Sequence, residues 1–255
     1  MRFKGKIVVI TGATSGIGAQ TALRFAQEGA CLVLLARRES LGNEMLQKAI
    51  SLGADSKSLF IKTDVSKMKD INNAFDIIKK EFGYIDCAFN NAGIEEIPMP
   101  VVTKTEEIYD NIMNTNTKGL FFCMTREIEL IRSGKTKKGS IVNTASISGL
   151  IGQIGIPIYN GAKHAILGMT KSLGIELASE GIRINAVSPG AIKTELYDRY
   201  VAGHPERVKA FTESHPIKRV GECDEIAGAV LWLCSDEASF VIGQSITIDG
   251  GYTAQ

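Results

Sequence analysis

The sequence has no surplus of either charge sign: 29 Lys+Arg face 28 Asp+Glu over 255 residues, a formal net charge of +1. Without a basic excess there is no counterion-release footprint for nucleic acid and no polybasic patch for a membrane, so neither partner is expected. Long apolar runs are also missing. The longest, such as Ile7–Ile10 and Cys31–Ala36, fall far short of the ~20 residues that cross a bilayer. The run behind Met1-Arg2-Phe3-Lys4 is too short for the apolar core of a signal peptide, so no secretory leader is expected. The five cysteines (Cys31, Cys87, Cys123, Cys223, Cys234) are odd in number and form no C-x-x-C pair. That points to reduced thiols in a cytoplasmic protein, with no disulfide framework and no metal site. No linker, internal repeat or low-complexity tract divides the chain. What remains is an ordinary globular composition, 44% hydrophobic and 22% charged, long enough for one large α/β domain over residues 1–255.

Short apolar, β-branched runs alternate with segments of helical period. The strands are expected at Lys6–Thr11, Cys31–Ala36, Ser58–Lys62, Ile85–Asn90, Gly139–Thr144, Arg183–Ser188 and Ser245–Asp249. Several are almost uninterrupted apolar runs, as parallel strands covered on both faces require. Between them, Ile71, Ala74, Phe75 and Ile78 form one helical stripe, and Ala19, Ala22, Leu23 and Ala26 another, with Gly29 as its stop. Repeated strand–helix alternation predicts a Rossmann-like, doubly wound seven-stranded parallel sheet. The stretch from about 192 to 219 breaks the rhythm with Pro205, Pro216, His204 and His215, and is read as a lid over a substrate.

Thr11-Gly12-Ala13-Thr14-Ser15-Gly16-Ile17-Gly18 joins the first strand to the first helix. Glycines there permit a tight turn and close backbone approach to a pyrophosphate, which then meets the unpaired N–H groups of a helix N-terminus. The spacing G-x-x-x-G-x-G is neither the G-x-G-x-x-G fingerprint nor a P-loop. At the end of the second strand stands Ala36-Arg37-Arg38, where an acidic residue would mark a free adenosine ribose. Guanidinium groups suit a phosphate dianion, which places NADP(H) ahead of NAD(H), although Glu39 offers a counter-charge.

Tyr159 and Lys163, at i and i+4, share one face of a helix expected from about Pro157 to Ala178. An ammonium beside a phenol favours the phenolate and lowers its pKa. Thr11–Gly18, Asn90-Asn91-Ala92-Gly93, Asn116, Ser146, the Tyr159/Lys163 pair and Pro189-Gly190 together resemble the classical short-chain dehydrogenase/reductase family, from Lys4 to Tyr252.

That resemblance implies roles residue by residue. Tyr159 would be the general acid/base and Ser146 would bond the substrate oxygen. Lys163 would lower the tyrosine pKa and hold the nicotinamide ribose, and Asn116 would anchor a water linking Lys163 to solvent. The cofactor would lie along Gly12, Thr14, Ser15, Gly16, Ile17, Gly18, Arg37 and Arg38. Asp64 and Val65 would hold its adenine, and Asn90, Asn91, Ala92 and Gly93 would line the adenosine side. Pro189, Gly190, Ile192 and Thr194 would pack on the nicotinamide. Thr144 and Ser148 also carry hydroxyls near Ser146, and the family pattern selects Ser146. Capping and turn roles compete for Asp64, Asn90 and Asn91.

The implied reaction is hydride transfer between nicotinamide and a secondary alcohol or ketone. Glu95, Glu96, Ile97, Gln153, Ile154, Ile156, Leu196, Tyr197 and Phe211 are the candidates for a largely apolar substrate pocket. Two alternatives are a 3-oxoacyl carrier-protein reductase, docking its carrier on Arg126, Arg132, Lys135, Lys137 and Lys138, and a non-catalytic cofactor-binding scaffold. The resemblance also implies a homotetramer or homodimer, and in some members a C-terminal glutamine, here Gln255, contacts magnesium.

Overall fold

The computed structural model describes residues 1–255 apart from the side chains of Leu196 and Tyr200. The chain begins with β1 (Ile7–Thr11), α1 (Gly16–Gln27), β2 (Cys31–Ala36), α2 (Glu39–Ser51), β3 (Leu59–Lys62) and α3 (Met68–Phe82). It continues through β4 (Cys87–Asn90), α4 (Glu106–Met113), α5 (Leu120–Ser133), β5 (Gly139–Thr144), α6 (Pro157–Leu177) and β6 (Ile182–Pro189). Then follow β7 (Ile192–Lys193), α7 (Glu195–Val201), α8 (Pro205–Ser214), β8 (Gly221–Glu222), α9 (Cys223–Cys234) and β9 (Ser245–Ile248).

Seven strands pair in the order β3-β2-β1-β4-β5-β6-β9, every neighbour parallel. Alternate residues of each strand feed two cores, because successive side chains point to opposite faces. Val8, Ile10, Leu32 and Leu34 pack with Phe25 of α1, Ala49 of α2 and Val230 of α9. Ile7, Val9, Val33 and Leu35 pack with Phe75 of α3, Met124 of α5 and Ile166 of α6. This double burial is why β1 and β2 carry almost no polar residue. The winding direction reverses between β1 and β4, and the crevice at their carboxyl ends is where such sheets bind ligands.

The expected strands are all present, with ends moved by a residue or two. The stripe Ile71, Ala74, Phe75, Ile78 is the buried face of α3. On α1 the stripe is turned: Gly18, Thr21, Ala22, Phe25 and Ala26 are buried, and Leu23 is half-buried. Thr21 tolerates the core because its hydroxyl donates to Ile17 O at 2.7 Å. Gly29, at φ +79°, stops this helix as expected. The 192–219 segment folds as α7 and α8, with β7 and β8 forming a separate two-stranded parallel ribbon. No helix among the described residues is long and apolar enough to cross a membrane. All five cysteines are free, four of them buried.

One buried acid sits between α5 and the sheet. Glu127 accepts from Asn90 Nδ2 at 2.8 Å, the same amide reaches Asn143 Oδ1 at 3.2 Å, and Asn143 Nδ2 donates to Thr170 Oγ1 at 3.0 Å. Burial pushes the Glu127 carboxyl up to about 8, against the lowering effect of the Asn90 bond. The folded chain therefore holds this proton more tightly than the unfolded chain, where the carboxyl titrates near 4.5. The stability it contributes is complete below that value and is lost as pH rises through about 8. Glu127→Gln copies the protonated form. It should leave the melting temperature unchanged at about pH 5 and raise it by several degrees at about pH 9. Thermal denaturation across that range checks this, and parallel pH profiles for the two proteins would refute it.

Candidate active site

The cleft begins where β1 meets β4. The Thr11 hydroxyl accepts from the backbone N–H of Asn91 at 3.0 Å and of Ala92 at 3.1 Å, binding the two strand ends together. The glycines between Thr11 and α1 are required by space. A Cβ on Gly12 would lie 2.9 Å from Ala92 Cα, and one on Gly18 would lie 2.3 Å from Gly12 O. Gly12 and Gly16 also hold φ of +66° and +54°. Ser15 caps α1 in an extended conformation without a side-chain bond, and the first turn holds no acidic residue. The N–H groups of this helix end are thus left for an anion.

At the end of β2, Ala36, Arg37 and Arg38 line the same cleft. Arg38 reaches Thr14 Oγ1 and Glu195 Oε2, each at 3.4 Å. Glu39, the expected counter-charge, instead pairs with Lys62 at 3.4 Å. Arg37 is exposed and forms no ion pair among the described residues, so its charge is left free at the cleft.

At the far end stand Tyr159 and Lys163 on α6. Lys163 is buried, donates from Nζ to Thr144 O at 2.8 Å, and lies 5.4 Å from the centre of the Tyr159 ring. Ser146 lies close to the Tyr159 side chain, and its hydroxyl accepts from Ser148 N at 3.1 Å. Burial pushes the Tyr159 hydroxyl up to about 12, Ser146 opposes that shift, and the Glu95 charge adds to it. Burial also brings Lys163 down to about 8. The expectation that the ammonium draws the phenol towards neutrality is therefore corrected for the chain by itself: desolvation of both groups outweighs their attraction.

The cleft has a volume of about 630 Å³ and runs from the glycine turn past Thr63, Asp64, Val65, Asn91, Ala92 and Gly93 to Thr144, Tyr159 and Lys163. The residues present fit a dinucleotide. Gly12 and Gly16 line it at positive φ, a helix N-terminus opens on it, and the buried Thr144 Oγ1 on its wall has no partner. Thr194 lines the cleft and abuts Gly16, whereas Pro189, Gly190 and Ile192 are not among its lining residues. Ile192 is buried beside Gly221 in the core that holds Phe25 and Val230. Asn90 lies beneath the cleft in the Glu127 network, and Asn116 exchanges two 2.8 Å bonds with the backbone of Ile94. Asp64 lines the cleft while capping Ser66, through 3.1 Å and 2.8 Å bonds.

The substrate side is less apolar than expected. Ile154 is fully exposed on the turn that ends at Gly155, and Tyr197 packs against Phe211 with ring centres 5.6 Å apart and the rings tilted by 59°. Leu196 lies outside the described side chains. Ser148 and Gln153 hydrogen-bond each other. Glu95, Ile97 and Arg199 line the cleft, and Glu96 does not. Arg199 and Thr115 went unnoticed in the sequence because neither belongs to a motif. Gln255 donates to Ser214 O at 3.0 Å, and no cluster of three metal-ligating side chains occurs among the described residues.

A family model described as enoyl-(acyl carrier protein) reductase matches residues 12–253. An A-factor type γ-butyrolactone 1′-reductase of Streptomyces virginiae is 38% identical over 97% of this chain and 95% of its own length. A cyclohexanol dehydrogenase of Acinetobacter sp. strain SE19 is 38% identical over 100% of this chain and 97% of its own. The crystal structure of levodione reductase superposes with a TM-score of 0.93 at 35% identity, covering 99% of each chain. The chain belongs to the short-chain dehydrogenase/reductase family and is an oxidoreductase. Members of this family bind NAD(P)(H).

The ligand-free site has a measurable signature. Lys163 should titrate with a midpoint near 8, whereas an unperturbed lysine does so near 10.5. Heteronuclear NMR of the lysine Cε resonances, assigned with Lys163→Met, checks this. A midpoint at the ordinary value would refute the burial argument.

Proposed function

We propose that the chain interconverts a secondary alcohol and its ketone, with NADP(H) preferred over NAD(H) and Tyr159 as general acid/base. The observation that carries this reading is that Tyr159, Lys163 and Thr144 meet in the same cleft that opens on the glycine turn. Gly12, Thr14, Ser15, Gly16 and Ile17 would hold the pyrophosphate, Arg37 and Arg38 the 2′-phosphate, and Asp64 and Val65 the adenine. Asn91, Ala92 and Gly93 would follow the adenosine side, with Thr194 and Lys163 towards the nicotinamide. The bound cofactor supplies or accepts the hydride.

In reduction, the Tyr159 hydroxyl gives its proton to the substrate oxygen as that oxygen gains negative charge. A hydroxyl held at about 12 carries its proton at neutral pH, and the Lys163 ammonium would draw it down for the transfer once the site is loaded. Ser146, close to the Tyr159 side chain, would keep the substrate oxygen beside it. Lys163, brought down to about 8, exchanges protons readily near neutral pH, and in its charged form favours the phenolate left behind. Asn116 braces the Ile94 backbone at the cleft wall. In oxidation the same atoms act in reverse.

The three relatives are named for small cyclic compounds, which supports a small cyclic alcohol or ketone as the substrate. Two basic residues offered for an acyl carrier are engaged within the chain: Arg126 with Asp76 and Glu129, and Arg132 with Glu180. That favours a free substrate over a carrier-bound one. The 192–219 segment, which brings Thr194, Glu195 and Arg199 to the cleft, would cover the substrate as a lid.

A panel of cyclic alcohols and ketones with each nicotinamide cofactor, followed by absorbance, tests the reaction. Tyr159→Phe should lower kcat by about 10²- to 10⁴-fold, and retained turnover would defeat the mechanism. Arg37→Ala should weaken NADPH binding about tenfold while leaving NADH binding unchanged. A parent enzyme that prefers NADH would overturn the cofactor assignment.

A further inference from the structure

Behind the cleft wall lies a buried ion pair that the reaction scheme above does not use. The Glu96 side chain is fully buried and that of Lys104 is 5% exposed, and the two are in direct contact. Burying two charges is costly unless each is paired and further hydrogen-bonded. Both conditions are met here. Glu96 Oε2 accepts from the backbone N–H of Tyr159 at 2.7 Å, and Lys104 Nζ donates to Gly155 O at 2.9 Å.

Those second partners give the pair its meaning. Tyr159 is the third residue of α6, whose N-cap is Ile156, a side chain that cannot accept a hydrogen bond. The missing cap comes from Glu96, on the loop after β4 and 63 residues away in sequence. The same loop grips the turn before α6 a second time, where Met99 N donates to Gly155 O at 3.3 Å. A Cβ on Gly155 would lie 3.0 Å from Pro98 Cβ, so loop and turn are in close contact. Glu95 and Ile97, on either side of Glu96, face the cleft.

We infer that the Glu96–Lys104 pair is a positioning device, which sets Tyr159 in register with the wall of the substrate cleft carrying Glu95 and Ile97. A capping Ser or Asp at the position of Ile156 would complete the helix end locally. Capping from a distant loop makes the placement of the tyrosine and the shape of the wall one quantity. Neither residue touches the cleft, so both act through others. The inference rests on the reading of Tyr159 as the acid/base.

The test replaces the pair by apolar side chains of similar size, Glu96→Leu with Lys104→Met, a change that keeps the packing while removing the hydrogen bonds of Glu96 to Tyr159 N and of Lys104 to Gly155 O. The melting temperature and cofactor affinity should stay close to the parent's, the latter within about twofold, since the glycine turn and Arg37 are untouched. The kcat should fall at least about tenfold, and the Tyr159 amide should exchange its hydrogen at least about tenfold faster. A folded double variant with kcat within about threefold of the parent, beside an inactive Tyr159→Phe, would overturn the positioning role alone. So would a loss of kcat with unaltered Tyr159 exchange. An active Tyr159→Phe would instead defeat the acid/base reading, while the exchange data still report on the clamp. Should the double variant not fold, the parent decides. A Tyr159 amide exchanging as fast as those of the exposed Gly152–Ile154 turn would show that the clamp does not hold.

Discussion

Everything at this site hangs on the closeness of two strand ends. The Thr11 hydroxyl gathers two amide hydrogens from the start of the loop after β4, and Gly12 and Gly18 leave no room for a Cβ between that loop and α1. With β1 and β4 pinned, the reversal of winding leaves one crevice open at the carboxyl ends of the sheet. The glycine turn, the Asn91–Gly93 loop and the Thr144 backbone are then set by strand registers that two apolar cores hold rigid. Chemistry that depends on placement within fractions of an ångström needs such a frame.

Onto this frame the chain places charges where water is scarce. Lys163, Glu127, Glu96 and Lys104 are all largely buried, and each is settled differently. Glu96 and Lys104 neutralise one another. Glu127 keeps its proton, and Lys163 yields its own more readily than a surface lysine. The tyrosine between them is more reluctant to ionise than a free phenol. A site of this kind is poised by desolvation, and whatever charge arrives with a ligand acts on it with little screening.

Most of the frame was legible in the sequence because its signals are local. Uninterrupted apolar runs marked strands buried on both faces, and the Ile71–Ile78 stripe marked the buried side of α3. The glycine turn and the Tyr159/Lys163 spacing were equally plain. Three kinds of feature were not. The inward face of α1 was misjudged, since Thr21 satisfies its own hydroxyl and can be buried like an apolar residue. The rise of the Tyr159 pKa in the chain without cofactor was not legible either, because dehydration depends on tertiary packing, which i, i+4 spacing does not convey. Glu96 reads in the sequence as a candidate for the substrate pocket and Lys104 belongs to no motif, and only the folded chain brings them together beneath Tyr159.

The pairing of Glu39 with Lys62 carries an evolutionary consequence. Both side chains are well exposed, and such pairs contribute below about 1 kcal/mol. Yet this pair keeps an acidic group occupied next to Arg37 and Arg38. Selection can therefore retune the charge at the mouth of the crevice by exchanging a few exposed side chains, at little cost to the sheet behind them. Charge at that end of the crevice thus rests on exposed side chains, whereas the buried Lys163 is held by the Thr144 backbone.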